Sequence, residues 1–324
     1  MSVPESKLAT PITLDGVTVP PGKRQNLEIP VARLPTGTQL SLPVTVINGR
    51  ASGPCLWISA AIHGDELNGV EIIRQVLDQL SPKTLQGKVI AVPIVNIFGF
   101  IEQSRYLPDR RDLNRSFPGS PRGSLASRLA HLFMREVVSH STHGIDLHTA
   151  SLHRTNLPQI RANLADAQTS AFAHAFGAPV MIQAATRDGS LRQAAVQRGI
   201  PILLYEAGEA LRFDQGAIAT GVRGVLQAMA ALGMVEGPAD PPPAPSLKVE
   251  HTKWVRASRG GILHLEVGLG EQVTQRQRIG FIDDAFNHKP SILRSPFDGI
   301  VIGHSQNPLV NQGDGIVHIA AIAP

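Results

Sequence analysis

The sequence predicts an α/β protein with a mixed, mostly parallel sheet and helices on both faces, followed by a small all-β barrel or sandwich. Through residue 235 of the 324-residue chain, short apolar runs alternate with stretches of helical periodicity. Such alternation is typical of a mostly parallel sheet. After a proline-rich stretch, short alternating runs are separated by Gly and Pro, and we predict no helix there.

Each predicted element follows from its period and composition. Strands are apolar runs bounded by turn residues, and we place them at 25–31, 39–47, 55–62, 88–96, 144–147, 179–184 and 200–205. Helices repeat apolar residues at helical spacing, as at Leu67, Val70, Ile73 and Leu77. We place them at 66–80, 124–138, 165–176, 190–198 and 217–232. Residues 99–122 are predicted to form an Arg- and Pro-rich loop.

The chain divides into four predicted segments. Residues 1–24 contain several prolines and are predicted to form a loose N-terminal arm, and residues 25–235 form the α/β unit. Residues 236–246 read "EGPADPPPAPS", with five prolines, which predicts a stiff linker between domains. Residues 247–324 form the small β domain.

Composition excludes several classes of function. Aromatic residues make up only 4% of the chain and no Lys/Arg tract is present, so we expect no nucleic-acid partner. No apolar run has the length of a membrane span and no signal pattern begins the chain, so we expect no membrane partner and a cytoplasmic location. The single cysteine, Cys55, lies in a strand-like run and is predicted to be a buried core residue.

Potential metal ligands are predicted near the carboxyl ends of two strands. His63 and Glu66 lie where one strand turns into a helix, and His148 follows the run "GIDL". Zinc in hydrolases takes three His, Glu or Asp ligands and leaves a fourth position open. The alternative interpretation of residues 63–66 alone is a turn with a helix-capping acid, and that of His148 alone is a core histidine. Together they favour a metal site, with Asp146 either accepting a hydrogen bond from the His148 imidazole or capping the backbone.

A general base is predicted on a third strand. Glu206 and Glu209 lie in "ILLYEAGE", and Glu206 directly follows the apolar run. Hydrolysis by an activated water needs a base that accepts its proton and passes it to the leaving amine. We predict that Glu206 is this base. The alternative is that Glu206 forms an ion pair with one of the many arginines.

In this order the motifs resemble the succinylglutamate desuccinylase/aspartoacylase family, which is itself similar to the zinc carboxypeptidases. The matching motifs are "HGDE" at 63–66, "RY…RDLNRSFPG" at 105–119, "DLHTA" at 146–150 and "YEAGE" at 205–209. The resemblance covers about residues 45–235. It implies a zinc-carboxypeptidase-like fold and a hydrolase of linear amide C–N bonds. The implied substrate is a small N-acyl amino acid or related compound with a carboxylate. The sequence looks closer to the broad bacterial deacylase branch, which includes ectoine-degradation deacetylases, than to aspartoacylase itself.

The resemblance also implies a metal centre. His63, Glu66 and His148 match the zinc ligands of the family, which implies one zinc ion per chain. Sites of this composition also accept cobalt, nickel or manganese, so the sequence leaves the metal open. Glu206 matches the glutamate that activates water.

Basic and amide side chains complete the implied site. Arg105 matches the arginine that stabilises the oxyanion, a role in which a cation binds most strongly in the transition state. Asn114 and Arg115 match the pair that holds the substrate carboxylate, for which a guanidinium offers two parallel donors. Arg154 and Arg161 are predicted to lie near the same site, without an assigned role.

Residues 247–324 resemble a biotinyl/lipoyl-carrier-like β domain through "SPFDGIVIGHS…NQGDGIVHIA". Carrier domains place the modified lysine in a characteristic hairpin, whereas Lys289 stands in "NHKPS" without that pattern. We therefore expect neither lipoylation nor biotinylation. A packing, lid or oligomerisation role is expected instead, which leaves a homo-oligomer open.

Three functions compete at this point. The first is the zinc-dependent deacylase, and the second is a zinc carboxypeptidase acting on short peptides through the same chemistry. The third is a non-enzymatic metal-binding relic of the fold. The sequence fills every catalytic role of a hydrolase, which favours the first function.

Overall fold

The computed structural model describes residues 9–236, 245–286 and 289–322. The helices are α1 (Asn68–Gln79), α2 (Ile97–Ile101), α3 (Leu125–Glu136), α4 (Ala167–Phe176), α5 (Leu191–Val196) and α6 (Gln215–Ala231). None of these described helices is long and apolar enough to cross a bilayer. The strands through residue 236 are β1 (Ile12–Leu14), β2 (Val17–Val19), β3 (Lys23–Arg33), β4 (Gln39–Asn48), β5 (Ala51–Ala60), β6 (Gln86–Val92), β7 (His143–Ala150), β8 (Arg154–Ala162), β9 (Val180–Gln183) and β10 (Ile202–Glu209).

Nine further strands follow the proline-rich stretch, and most of the predicted linker, residues 237–244, lies outside the described residues. These strands are β11 (Leu247–Val249), β12 (Thr252–Arg256), β13 (Gly261–Leu265), β14 (Gln272–Val273), β15 (Arg278–Asp283), β16 (Ser291–Arg294), β17 (Gly299–Ser305), β18 (Leu309–Val310) and β19 (Gly315–Ala321). The described residues from 245 onward contain no helix, as expected from the sequence.

A mixed sheet of thirteen strands forms the centre of the molecule. Its main path is β12-β19-β17-β8-β10-β7-β5-β6-β4-β3. The four central strands, from β10 through β7 and β5 to β6, are parallel. The flanking strands β8 and β4 are antiparallel to their central neighbours. The carboxyl ends of the parallel strands therefore meet at one edge, where α/β sheets bind their ligands.

Both faces of this sheet are covered by helices, as predicted. On β5, Leu56 and Ile58 belong to an apolar core shared with α1, α4 and α6. Their neighbours Cys55 and Trp57 point to the opposite core, which contains residues of α3 and α5. Successive strand residues face opposite sides, so a nearly continuous apolar strand is what two covered faces require.

The strands of the C-terminal region extend the main sheet. β17 pairs antiparallel with β8, and β11 pairs parallel with β9. A second sheet, β16-β15-β13-β18, packs against this extension. The two layers share an apolar core that includes Ile282, Leu293, Val301 and Ile319. Strands on both sides of the predicted linker thus belong to one sheet.

The N-terminal segment differs from the loose arm predicted for residues 1–24. Residues 12–19 form the hairpin β1–β2, and Ile12, Leu14 and Val19 are buried in the core next to α3. Asp15 and Gly16 both have positive φ angles, 45° and 79°. An Asp-Gly pair is a strong hairpin signal for this reason, and it outweighs the nearby prolines. Residues 1–8 lie outside the described residues.

Two other differences affect the site. β8 was not predicted, and β7 and β10 continue past their predicted ends, so His148 and Glu206 lie within strands. The two residues are neighbours in register on these parallel strands, and the register of β10 shifts directly after Glu206. Such a bulge changes the direction of the following side chains.

Candidate metal centre and active-site cleft

Three buried side chains that could hold a metal ion meet at the carboxyl edge of the central strands. His63 and Glu66 lie in the turn between β5 and α1, and His148 lies near the end of β7. One potential ligand atom from each residue lies within 4.8 Å of the other two. The structure therefore brings together all three ligands that the sequence predicted.

The turn that carries His63 and Glu66 is tightly packed against α2. A Cβ atom on Gly64 would lie 2.0 Å from the carbonyl carbon of Gly99. Only glycine fits this close backbone approach. The backbone N–H of Glu66 also donates to the carbonyl of His63 at 3.1 Å. The glycine of the "HGDE" motif thus lets both potential ligands face the same point.

Carboxylates surround both histidine rings. Glu66 bridges the two rings, with Oε1 2.7 Å from Nδ1 of His63 and Oε2 2.7 Å from Nδ1 of His148. On the far side of the rings, Asp146 lies 2.7 Å from Nε2 of His148 and Asp112 lies 3.3 Å from Nε2 of His63. Metal-binding histidines typically have a carboxylate on the nitrogen that does not face the metal. The donor set and its surroundings therefore fit a metal ion such as zinc.

Charge coupling is strong in this cluster because it is buried. Burial alone would raise the pKa of Glu66, but His63 and His148 hold it well below its usual value. Burial alone would lower the pKa of His148, but Asp146 and Glu66 raise it well above its usual value. Neighbouring opposite charges thus outweigh desolvation at both groups. The two carboxylates on either side of the ring thus favour the protonated form of His148.

Glu206 faces this centre from β10. Its Oε2 atom accepts a hydrogen bond from Nδ2 of Asn156 at 2.7 Å, and its Oε1 atom lies 3.6 Å from Nε of Arg161. The side chain is 22% exposed, so it remains accessible from the cleft. The structure therefore shows both features that the sequence left as alternatives: a position beside the metal ligands and an arginine within ion-pair distance.

Arg105 reaches the centre from the predicted Arg- and Pro-rich loop. Its Nη2 atom donates to Oδ2 of Asp112 at 3.0 Å, and Nη1 lies 3.6 Å from Oε1 of Glu66. Asp112 thus contacts Arg105 and His63 together. The guanidinium group is thus held at the edge of the candidate metal centre.

Asn114 and Arg115 lie in a short 3-10 turn, Leu113–Arg115, which the Asp112 side chain caps through the backbone N–H of Asn114. The Oδ1 atom of Asn114 accepts a hydrogen bond from the backbone N–H of Leu191 at 3.0 Å. Both side chains line the cleft that contains the metal centre.

All seven predicted site residues line this one cleft, which is strongly basic. Its arginines are Arg105, Arg115, Arg154, Arg161, Arg187 and Arg192. Burial, followed by the charge of Arg161, lowers the pKa of Arg192 to about 10. Sequence reasoning missed Arg187, which precedes α5, and Arg192, which lies within it, because nothing in the residues around them distinguishes them from surface arginines.

The C-terminal region contributes one wall of the cleft through Trp254 on β12. The indole ring stacks on His318 with ring centroids 4.7 Å apart, and the guanidinium carbon of Arg154 lies 5.1 Å from its centroid. Burial, with a smaller effect from Arg161, lowers the pKa of His318 to about 3, so the ring is neutral. No pattern in the sequence indicated that a residue beyond the linker would line this cleft.

Residues 52–232 match the model of the succinylglutamate desuccinylase/aspartoacylase catalytic domain. The chain belongs to this family. The family resemblance inferred from the four motifs is thereby confirmed. N-alpha-acetyl-L-2,4-diaminobutyric acid deacetylase of Halomonas elongata is 32% identical over 294 residues, which cover 87% of this chain and 86% of that protein. A succinylglutamate desuccinylase of Photorhabdus laumondii is 40% identical over 109 residues, or 29% of this chain and 33% of that protein.

Solved structures share this architecture over nearly the whole chain. A succinylglutamate desuccinylase/aspartoacylase of Rhodobacter sphaeroides superposes with a TM-score of 0.82 at 30% identity, covering 92% of this chain and 95% of that chain. The ectoine utilization protein EutE of Ruegeria pomeroyi has a TM-score of 0.84 at 22% identity, with 97% and 99% covered. The second comparison shows a common fold, which includes the C-terminal strands.

Proposed function

We propose that this protein is a zinc-dependent deacylase that hydrolyses the amide bond of a small N-acyl amino acid with a carboxylate. The observation that carries the proposal is the meeting of His63, Glu66 and His148 within 4.8 Å, in one cleft with Glu206 and six arginines. The similarity to a deacetylase of an acylated amino acid, spanning 87% of the chain, supports this substrate class.

His63, Glu66 and His148 would hold the zinc ion. The chemistry of the donor set fits, since two imidazoles and one carboxylate are ligands of catalytic zinc sites. The carboxylates behind both rings fit as well, because they fix the ring orientation. When bound, the ion supplies a Lewis acid and lowers the pKa of a water molecule.

Glu206 acts as the general base and then as the general acid. Its carboxylate accepts a proton from the attacking water and transfers it to the nitrogen of the leaving amine. The amine thereby leaves in neutral form. Asn156 and Arg161 hold the carboxylate on the side of the cleft where His148 is its neighbour in register.

Arg105, Asn114 and Arg115 bind the charged parts of the substrate. Arg105 stabilises the negative charge that develops on the carbonyl oxygen, an interaction stronger in the transition state than in the substrate. The Nδ2 group of Asn114 and the guanidinium of Arg115 bind the substrate carboxylate. The basic lining of the cleft attracts such an anion.

A carboxypeptidase acting on short peptides would use the same donors. Trp254 and Arg154 lie close together and both line the cleft, and two bulky side chains at its wall favour a small substrate over a peptide. A panel of substrates separates the two functions. Zinc-loaded protein is incubated with N-acetyl and N-succinyl amino acids and with short peptides, and the released amine is quantified.

We expect amine release from at least one N-acyl amino acid. Glu206→Gln should lower kcat by roughly 100- to 10,000-fold, the usual contribution of a general base, while elemental analysis still finds zinc. Glu209→Gln is the matched control, because Glu209 lies on the same strand but contacts His153 and Arg212 at its outer side. Turnover of peptides alone would exclude the deacylase. A lack of any hydrolysis by the zinc-loaded protein would favour the non-enzymatic relic.

A further inference from the structure

Asn156 lies between the proposed base and a strand of the C-terminal region. It is 6% exposed, and its Nδ2 atom donates to Oε2 of Glu206 at 2.7 Å. In the antiparallel pairing of β8 with β17, Asn156 is directly opposite Gly303. The Nδ2 donor of Asn156 therefore faces the Glu206 carboxylate, and its Oδ1 acceptor lies beside Gly303, which has no side chain.

Gly303 leaves the space that the carboxamide occupies. A Cβ atom at this position would lie 2.6 Å from Oδ1 of Asn156 and 3.2 Å from the carbonyl oxygen of Thr155. The first distance is shorter than any normal contact, so a side chain at residue 303 would displace the carboxamide. No unusual backbone angle requires glycine here, which leaves the close approach of Asn156 as the reason for it.

The two strands beyond β17 continue the line of residues that begins with Asn156 and Gly303. His318 on β19 is opposite Gly303, and Trp254 on β12 is opposite His318. Residues that are directly opposite in adjacent strands share one face of a sheet. Trp254, His318, Gly303 and Asn156 therefore form a continuous row that starts at the wall of the cleft and ends at Asn156, whose side chain donates to Glu206.

The hydrogen bond to Glu206 allows only one orientation of the Asn156 carboxamide, with Nδ2 facing the carboxylate. If the amide were reversed, its oxygen would face the carboxylate oxygens of Glu206, and two acceptors would repel each other. Arg161 offers charge at 3.6 Å, a distance that allows attraction but no directed hydrogen bond. Asn156 is thus the neighbour that can orient the carboxylate.

We propose that Asn156 positions Glu206 for proton transfer and that Gly303 of the C-terminal region keeps Asn156 in place. The proposal rests on the proposed role of Glu206 as the base. It makes the C-terminal strands part of the catalytic machinery, although no residue of β17 touches the substrate in this mechanism.

Two substitutions of Asn156 separate positioning from space filling. Asn156→Asp keeps the shape but loses the donor, whereas Asn156→Ala loses both. We expect both to lower kcat by roughly 10- to 100-fold with KM changed less than about twofold, because a misplaced catalytic group slows the chemical step. Zinc content and the midpoint of thermal unfolding are measured beside the kinetics. An Asn156→Asp variant with wild-type kcat would overturn the proposal.

A double-mutant cycle tests the link to Gly303. Gly303→Ala should lower kcat in the wild-type background by displacing Asn156, but should have no further effect in the Asn156→Ala background. Gly268→Ala is the matched control, because a Cβ atom there meets nothing within 4 Å. Equal losses from Gly303→Ala in both backgrounds would overturn the role of Gly303.

A crystal structure of the Asn156→Ala variant supplies a readout that does not depend on activity. We expect the Glu206 carboxylate to leave its position, and an unmoved carboxylate would contradict the proposal. Failure of the proposed function has a different signature. In that case the zinc-loaded wild type hydrolyses no N-acyl amino acid, or Glu206→Gln hydrolyses it as fast as the wild type does, and Asn156 has no base to position.

Discussion

The carboxylate of Asp146 lies 2.7 Å from Nε2 of His148, two residues further along β7. Residues two apart on a strand share one face, so the pair follows from the local backbone. The other oxygen of Asp146 accepts a hydrogen bond from Oγ of Ser59 at 2.8 Å. The Asp146 carboxylate is therefore fixed, and it holds the His148 ring with Nδ1 facing Glu66.

Asp146→Asn should weaken zinc binding by about 10- to 100-fold, because loss of the carboxylate behind a metal-binding histidine has an effect of this size. Competition with a chelating dye measures the affinity. Asp78→Asn, an exposed substitution on α1, is the control and should bind zinc as the wild type does. Equal affinities for the Asp146 and Asp78 variants would show that Asp146 does not support a metal ligand.

Zinc binding near neutral pH should release protons. The carboxylates of Asp146 and Glu66 raise the pKa of His148 well above its usual value despite burial, so the ring is protonated in the metal-free protein. A metal ligand must be the neutral imidazole. Affinity should consequently rise with pH. Calorimetry in buffers of different ionisation enthalpy measures the released protons, and a binding enthalpy that does not depend on the buffer would contradict this expectation.

Ligand binding in the cleft should change the fluorescence of Trp254. The chain has two tryptophans, and Trp57 is completely buried in the core whereas Trp254 lines the cleft. Titrating the substrate found in the panel into Glu206→Gln should give a saturable signal, since binding occurs with little turnover. The signal should persist in Trp57→Phe and vanish in Trp254→Phe. A signal that survives in Trp254→Phe would place the ligand elsewhere.

Cys55 should be unreactive in the folded protein. It is buried in β5, and burial raises the pKa of its thiol to about 11, despite smaller opposing effects of Lys88 and Ser141. Thiolates are the reactive form of cysteine. A chromogenic disulfide reagent at mildly alkaline pH should detect no thiol in the native protein and one thiol per chain after denaturation. Prompt labelling of the native protein would mean that β5 is accessible.

The cluster of candidate metal ligands could be predicted because its signals are local. His63 and Glu66 are three residues apart beside an apolar strand, and His148 follows Asp146 in another apolar strand. Parallel strands bring their carboxyl ends to the same edge without further information. The predicted ligands therefore meet in the structure, and most predicted helices and strands differ from the observed ones only by a few residues at their ends.

The other wall of the cleft could not be predicted, since it depends on pairing between distant segments. β8 has mixed polarity and a central proline, Pro158, so its pattern resembles a loop. Its strand character comes from its position between β10 and β17. No local feature of the sequence therefore indicated that Asn156 or Trp254 would lie at the site.

The hairpin at Asp15 and Gly16 is different, because its turn dipeptide was present in the sequence and the prolines obscured it.

The pairing of β8 with β17 also has a consequence for synthesis of the protein. Nearly half of the chain separates Asn156 from its partner Gly303, so β8 leaves the ribosome long before the strand that covers it. During that interval one edge of the nascent sheet has unpaired N–H and C=O groups, which can pair with another chain. The growing polypeptide thus carries the candidate metal ligands early, but Glu206, the proposed base, gains its full surroundings only when the last strands emerge.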